Sequence, residues 1–377
     1  MALIYGTNKA LEMYVGIGVL MNKSELKTPA LILDLEILKK NIFSMSEYLK
    51  KGNVSLRPHI KCHKTPEIAK MQIAAGAAGV MVAKLGEAEV MSNAGIKNIA
   101  IANQIVQEQK IKDLADLCRH NEISVAVDSP MVVERMDNIA AREGININAM
   151  VEVDVGMGRC GVSPGKPALE MTKKVSESKH LTFRGLMGYE GMAAYIKSFK
   201  ERKNECHRCY NKLVKTARLI EKEGYEVEVV SAGATTSFSI AAEYPGITEI
   251  EAGSYVFMDL AHKMEGVPFD YALYVLTTVI SKPSNDRAII DGGLKTFSET
   301  EGFAKAKDIS GIELYKLDEE HGYLRLNDEG KKIEVGDTIE FIPAYSSTTV
   351  NLHERFYVTK GEKVESTWKI AARGRVD

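Results

Sequence analysis

Ser55-Leu56-Arg57-Pro58-His59-Ile60-Lys61-Cys62-His63-Lys64 is a short strand-like run that ends in basic residues. It gives way at once to a helix start, because Thr65 is an N-cap residue type and Pro66 suits the first helical position. The same unit recurs along the chain. Runs rich in β-branched residues appear at 79–84, 98–106, 124–129, 150–156, 183–190, 227–233 and 249–257, most of them followed by a helix-like segment. Their apolar residues are continuous rather than alternating, as in parallel strands covered on both faces. Eight such strands alternating with helices predict a (β/α)8 barrel of the α/β class, with an open doubly wound sheet as the competing arrangement. The highly charged stretch from Tyr195 to Glu223 is expected to be a long, largely exposed helix.

After about Ala261 the texture changes. Runs at 271–281, 288–291, 323–326, 332–341 and 356–359 read as strands separated by turns, with no long helical period. A barrel needs about 250 residues, so a chain of 377 leaves a surplus. The reading assigns 30–262 to the barrel, and 1–29 with 263–377 to a mostly β domain. No internal repeat or low-complexity linker is visible. The 49 basic and 51 acidic residues give a net charge of −2, without the basic surplus that nucleic-acid binding uses. No apolar run approaches the ~20 residues of a membrane span, and Lys9 and Glu12 interrupt any signal-peptide core. Five cysteines fit reduced thiols, so a cytoplasmic protein is expected.

Several clusters could carry chemistry. Strand C-termini form the catalytic rim of a barrel, and there Lys61 and Lys64 are both candidates for an amine nucleophile, against the alternative of a basic loop. Ser231 through Ser237 follow the seventh run, and small and hydroxyl residues before a helix suit a phosphate, although an ordinary turn reads the same way. Glu251 through Tyr255 end the eighth run. Arg159, set among glycines after the fifth run, either reaches the barrel mouth or pairs with Asp154. Cys206 and Cys209 form a single C-x-x-C without two further zinc ligands at ribbon or finger spacing, and read as two thiols on a helix. In the second domain, 318–322 and 343–354 are polar clusters that matter if that domain covers the barrel mouth.

Taken together these segments resemble the fold-type III pyridoxal-phosphate enzymes of the D-threonine aldolase and D-serine dehydratase group. The resemblance is carried by Thr28-Pro29-Ala30-Leu31, by the run around Lys61, by 154–161, 231–237 and 251–257, by Asp291-Gly292-Gly293-Leu294-Lys295, and by Glu320-His321-Gly322. It implies an alanine-racemase-like barrel, a β domain, pyridoxal 5'-phosphate and a homodimer. It makes Lys61 the Schiff-base lysine, with His59 and Tyr345 in the catalytic set. Arg159 and Tyr189 then lie near the cofactor ring, with Gly233, Thr235, Ser237, Gly253, Ser254 and Tyr255 about its phosphate. The group's metal-dependent members carry His and Cys or Asp in a Pro-x-His-x-Cys/Asp run. Here Tyr345 and Ser347 stand at those positions, and both are poor ligands for such ions.

The resemblance implies a lyase, aldolase or dehydratase, acting on a D-configured β-hydroxy amino acid such as D-threonine, D-serine or 3-hydroxy-D-aspartate. The alternative is an amino-acid racemase or epimerase that uses Tyr345 and Lys61 on opposite faces. A non-catalytic cofactor carrier is disfavoured, since single-barrel carriers lack a β domain.

Overall fold

The computed structural model describes residues 21–52 and 54–377. The expectations placed on residues 1–20, that they lack a signal segment and join the second domain, lie outside that range. In chain order the strands are β1 (Met21–Asn22), β2 (Ala30–Asp34), β3 (Ser55–Leu56), β4 (Val80–Val82), β5 (Asn98–Gln104), β6 (Glu122–Val127), β7 (Ile147–Glu152), β8 (Leu181–Met187) and β9 (Val229–Ala232). They continue as β10 (Glu249–Ile250), β11 (Leu273–Ser284), β12 (Arg287–Ile290), β13 (Lys305–Ala306), β14 (Ile312–Leu317), β15 (Gly322–Leu326), β16 (Thr338–Ile342), β17 (Arg355–Lys360) and β18 (Lys363–Lys369).

Strands β3 to β10 make one parallel sheet in the order β3-β10-β9-β8-β7-β6-β5-β4. Its ends meet. Ala78 N donates to Leu56 O at 2.8 Å, Met81 N donates to Pro58 O at 2.9 Å, and His59 forms a parallel bridge with Met81. The sheet therefore closes into the barrel, and the doubly wound alternative falls. Several strands are shorter than their sequence runs. The run at 249–257 pairs only over Glu249–Ile250, because the chain then leaves the ladder to build the rim. Met81, Ala100, Ala126, Met150 and Met187 fill the lumen, alternating small and flexible side chains.

The helix Phe199–Lys222 departs from its expected exposure. Cys206, Cys209, Tyr210, Leu213, Val214, Ala217 and Ile220 are buried along it. Their spacing of three and four makes an apolar stripe that docks on the barrel, and the charges occupy the other face. The two thiols of the C-x-x-C belong to that stripe, and burial pushes Cys209 up to about 12.

The second sheet has ten strands in the order β1-β18-β17-β2-β11-β12-β15-β14-β13-β16. Ala30–Asp34, which the sequence reading puts at the start of the barrel, lies here instead. It pairs antiparallel with β11 and parallel with β17. Its residues 30–33 are buried, so the strand is held by this sheet and by packing rather than by the barrel ladder. The expected strand at 332–341 shrinks to Thr338–Ile342, because Gly336 adopts φ +98° in a turn where Glu334 N donates to Asp337 Oδ2 at 2.7 Å. β1, β13, β14 and β18 were not foreseen.

The two domains join at the barrel mouth. Leu260 N donates to Pro343 O at 3.2 Å and Ala261 N to Ala344 O at 3.0 Å. These bonds bring Tyr345 over the C-terminal ends of the barrel strands of its own chain. No helix among the described residues is long and apolar enough to cross a membrane.

Candidate active site

A cavity of about 1030 Å³, counting its open mouth, sits at the C-terminal ends of the barrel strands. His59, Lys61, Arg159, Tyr189, Thr235, Gly253, Ser254 and Tyr345 all line it. Three residues from the sequence reading do not. Ser237 is fully buried and donates from Oγ to Glu190 Oε1 at 2.5 Å. Gly233 N donates to the same carboxylate at 3.2 Å. The Tyr255 hydroxyl accepts from Gln72 Nε2 at 2.9 Å, deep in the core.

The chain leaves β3 through a tight turn at Ile60–Cys62, with His59 capping it by accepting from Lys61 N at 3.4 Å. That turn points Lys61 into the cavity. Its amine has no ion-pair partner among the described residues, and its Nζ lies 5.5 Å from the centre of the Tyr189 ring. Burial, and then the Arg159 charge, lower its pKa from the usual lysine range, which favours the neutral, nucleophilic amine. Lys64 is different. Its Nζ pairs with the fully buried Glu87, which also accepts from Ala83 N at 2.7 Å and Lys84 N at 3.2 Å. The two lysines that composition leaves equivalent are thus separated, one open to the cavity and one committed to an internal ion pair. Burial, with the Lys61 and Lys64 charges, holds the His59 imidazole well below its ordinary range, so it is neutral. Burial pushes the Cys62 thiol up to about 12, so it is inert.

Arg159 does not pair with Asp154. Asp154 accepts from Gly156 N at 2.9 Å and Gly158 N at 3.0 Å, shaping the loop, while Arg159 lies 3.8 Å from Glu152. Arg159 also lies 5.4 Å from the centre of the Tyr189 ring. At the other end, Thr235 Oγ1 accepts from Tyr255 N at 3.0 Å and locks two rim loops together. The backbone N–H groups of Thr235, Gly253 and Ser254 have no partner among the described residues. A Cβ at Gly253 would overlap the His59 carbonyl oxygen, so only glycine allows this approach.

Sequence reasoning gave no individual role to four residues here. Glu251 lines the cavity with Oε1 buried and unpartnered. Glu190, at the end of the sixth barrel strand, ties down the loop after β9. Tyr195 and His262 complete the wall. The only signal for His262 was Asp259 three residues earlier.

Glu251 gives a pH prediction. Burial pushes its carboxyl up to about 8 from a usual 4.5. Between those values the folded chain keeps a proton that the unfolded chain has lost, so stability falls as pH rises through the window. Glu251→Gln cannot ionise. Its stability advantage over the parent is expected to grow across the window and level off above it. Urea midpoints of cofactor-free protein below, within and above the window check this, and a pH-independent difference would contradict it.

The residues fit an aromatic aldehyde phosphate. They offer an unpaired amine, a Tyr189 face against which a ring can lie, and unpartnered N–H groups beside an obligatory glycine for an anion. The alanine racemase N-terminal domain model matches residues 33–261, and a serine dehydratase domain model matches 272–359. A D-threonine aldolase from an Arthrobacter species is 34% identical over 92% of this chain and 93% of its own. A 3-hydroxy-D-aspartate aldolase from Paracoccus denitrificans is 32% identical over 94% of each chain. The crystal structure of D-threonine aldolase from Filomicrobium marinum superposes with a TM-score of 0.92 at 33% identity, covering 96% of this chain and 99% of that one. The chain belongs to the D-threonine aldolase family.

Membership in the D-threonine aldolase family implies dependence on pyridoxal phosphate, which the cavity suits. The divalent metal is another matter. Tyr345 and Ser347 at the expected positions offer a phenol and a hydroxyl, and burial raises the phenol above its usual range. His353 donates from Nε2 to Thr296 O at 3.0 Å and does not line the cavity. No group of three or more His, Cys, Asp or Glu suited to a metal occurs among the described residues. These donors do not fit a divalent cation. The racemase alternative also weakens, because a Tyr345 phenol raised by burial stays protonated at neutral pH and is a poor base. Alanine racemase from Bacillus anthracis, at 15% identity and a TM-score of 0.71, shares the fold alone.

Proposed function

We propose that this protein is a pyridoxal-phosphate-dependent lyase that cleaves a D-configured β-hydroxy amino acid between Cα and Cβ. Support comes from similarity to two aldolases, at 34% and 32% identity over nearly the whole chain, and from one observation, the separation of an open Lys61 from a sequestered Lys64. Bound here, pyridoxal phosphate supplies an electron sink for the charge left at Cα when a bond to it breaks. The chain does the rest. Lys61 would attach the cofactor and hold or return a proton at Nζ. Thr235, Gly253 and Ser254 would hold the phosphate through backbone N–H groups. Tyr189 would offer its face to the ring, and Arg159 would keep a fixed positive charge in the same cavity. Glu251, protonated below about pH 8, holds a proton within the same cavity. A homodimer is part of this reading, as in the group it resembles.

Holoenzyme incubated with D-threonine, D-serine and 3-hydroxy-D-aspartate separates the outcomes. Aldehyde plus glycine is expected from D-threonine. Keto acid plus ammonia as the sole products would make the chain a dehydratase.

A further inference from the structure

The cavity that Lys61 lines also holds a dyad that no step above uses. Asp259 is fully buried at the end of the rim loop after β10. Its Oδ1 accepts from His262 N at 3.0 Å and lies 2.6 Å from His262 Nδ1, and its Oδ2 accepts from Ser346 N at 2.7 Å. Burial works to raise this carboxyl, but the His262 and Ser346 contacts outweigh it and hold it low. An ionised Asp259 requires a proton on Nδ1, which leaves the Nε2 lone pair of a neutral ring unprotonated. His262 lines the cavity, and Nε2 has no partner among the described residues.

The ring is fixed on both sides. Tyr345 stacks on it at 5.7 Å between centroids and 17° between planes, and Tyr195 packs at 6.1 Å and 42°. Both tyrosines line the cavity. Tyr345 thus occupies an expected metal-ligand position and holds an imidazole in place instead. The Ser346 N–H bond and the backbone bonds from Leu260 and Ala261 to 343–344 make the arrangement depend on both domains.

We propose that His262, oriented by Asp259 and stacked on Tyr345, is the acid–base residue for the substrate β-hydroxyl, in the role a divalent metal plays in metal-dependent relatives. The inference rests on the lyase reading above. In the step, Nε2 takes the hydroxyl proton. The O–H electron pair becomes the second C–O bond of the aldehyde, and the Cα–Cβ pair passes to Cα. One proton then returns to Cα, so aldehyde and glycine account for every atom and electron. Asp259 and Tyr345 act as positioning residues.

The test compares holoenzyme with His262→Gln and Asp259→Asn. Aldehyde release from D-threonine is expected to fall roughly 10²–10⁴-fold in His262→Gln, the size of a lost general base, and strongly in Asp259→Asn through the wrong tautomer. Exchange of the Cα proton of D-alanine in D2O, which has no β-hydroxyl to deprotonate, is expected to persist in both variants. Parent activity is expected to survive EDTA. Cleavage by folded His262→Gln within about threefold of the parent would overturn the proposal, as would loss in EDTA restored by Mn²⁺. A His262→Gln that does not fold leaves the decision to Asp259→Asn, where unchanged cleavage would overturn it. If the parent cleaves none of the three substrates, the lyase reading itself falls.

Discussion

Lys61→Ala is expected to lower aldehyde release by roughly 10³–10⁶-fold, the scale seen when a covalent nucleophile is removed, with little loss of stability. The stability expectation follows from the environment. The Lys61 amine is in a cavity, its pKa is lowered by burial and by Arg159, and it makes no ion-pair contact with a carboxylate among the described residues. Removing it leaves no buried partner unpaired, so the urea midpoint should hold or rise. Lys61→Arg keeps a positive charge but supplies no usable nucleophile, and should be as inactive as Lys61→Ala. Mass spectrometry after borohydride reduction gives a readout independent of turnover. The parent chain is expected to carry the added mass of the cofactor on the peptide containing Lys61, and Lys61→Ala to carry none. Turnover or cofactor attachment in Lys61→Ala with Lys64 intact would assign the chemistry to the other lysine.

The fold was legible because its signal is local and repeated. Eight apolar runs separated by helix starts specify a barrel before any contact is known, and each run turned out to hold a strand. The exceptions have one cause. A domain boundary drawn at residue 30 puts Ala30–Asp34 with the barrel, but pairing partners more than 200 residues away in β11 claim the strand for the second sheet. The site was legible to the extent that it follows strand ends. Lys61, Arg159, Tyr189, Thr235, Gly253 and Ser254 are all rim residues and all face the cavity. What failed was the division of labour within a motif. Small and hydroxyl residues at 233–237 predict an anion cradle, but Glu190 arrives from the preceding strand and takes the Gly233 N–H and the Ser237 hydroxyl. His262 was missed for a related reason. An Asp-x-x-His spacing means little until the fold buries the aspartate and turns the ring toward a cavity, and that depends on Tyr345 and Ser346, more than 80 residues later. The position of Tyr345 was readable as a departure from a metal ligand, while its use as a stacking surface needed coordinates.

The same motif that supplies Lys61 yields the largest stability prediction. Lys64→Met is expected to destabilise the fold by about 3–5 kcal/mol, the cost of stranding one member of a buried ion pair. Glu87 is fully buried, and its carboxylate is shared between Lys64 Nζ and the N–H groups of Ala83 and Lys84. Two N–H bonds do not neutralise a charge, so the variant must keep an uncompensated carboxylate or protonate it. Lys64 already adopts φ +53°, and Met there carries the same backbone strain, so the comparison reports the charge. The Lys64 carbonyl accepts from Ala372 N at 3.0 Å, a bond the substitution leaves intact. The paired change Lys64→Met with Glu87→Met removes both charges and should recover much of the loss, since well-packed apolar replacements of buried ion pairs are often neutral. Urea midpoints of the parent, the two single variants and the double variant close the cycle. Below its unfolding temperature Lys64→Met should retain turnover within several-fold of the parent, because Lys61 is untouched. A Lys64→Met protein as stable as the parent but inactive would reverse the assignment of the two lysines.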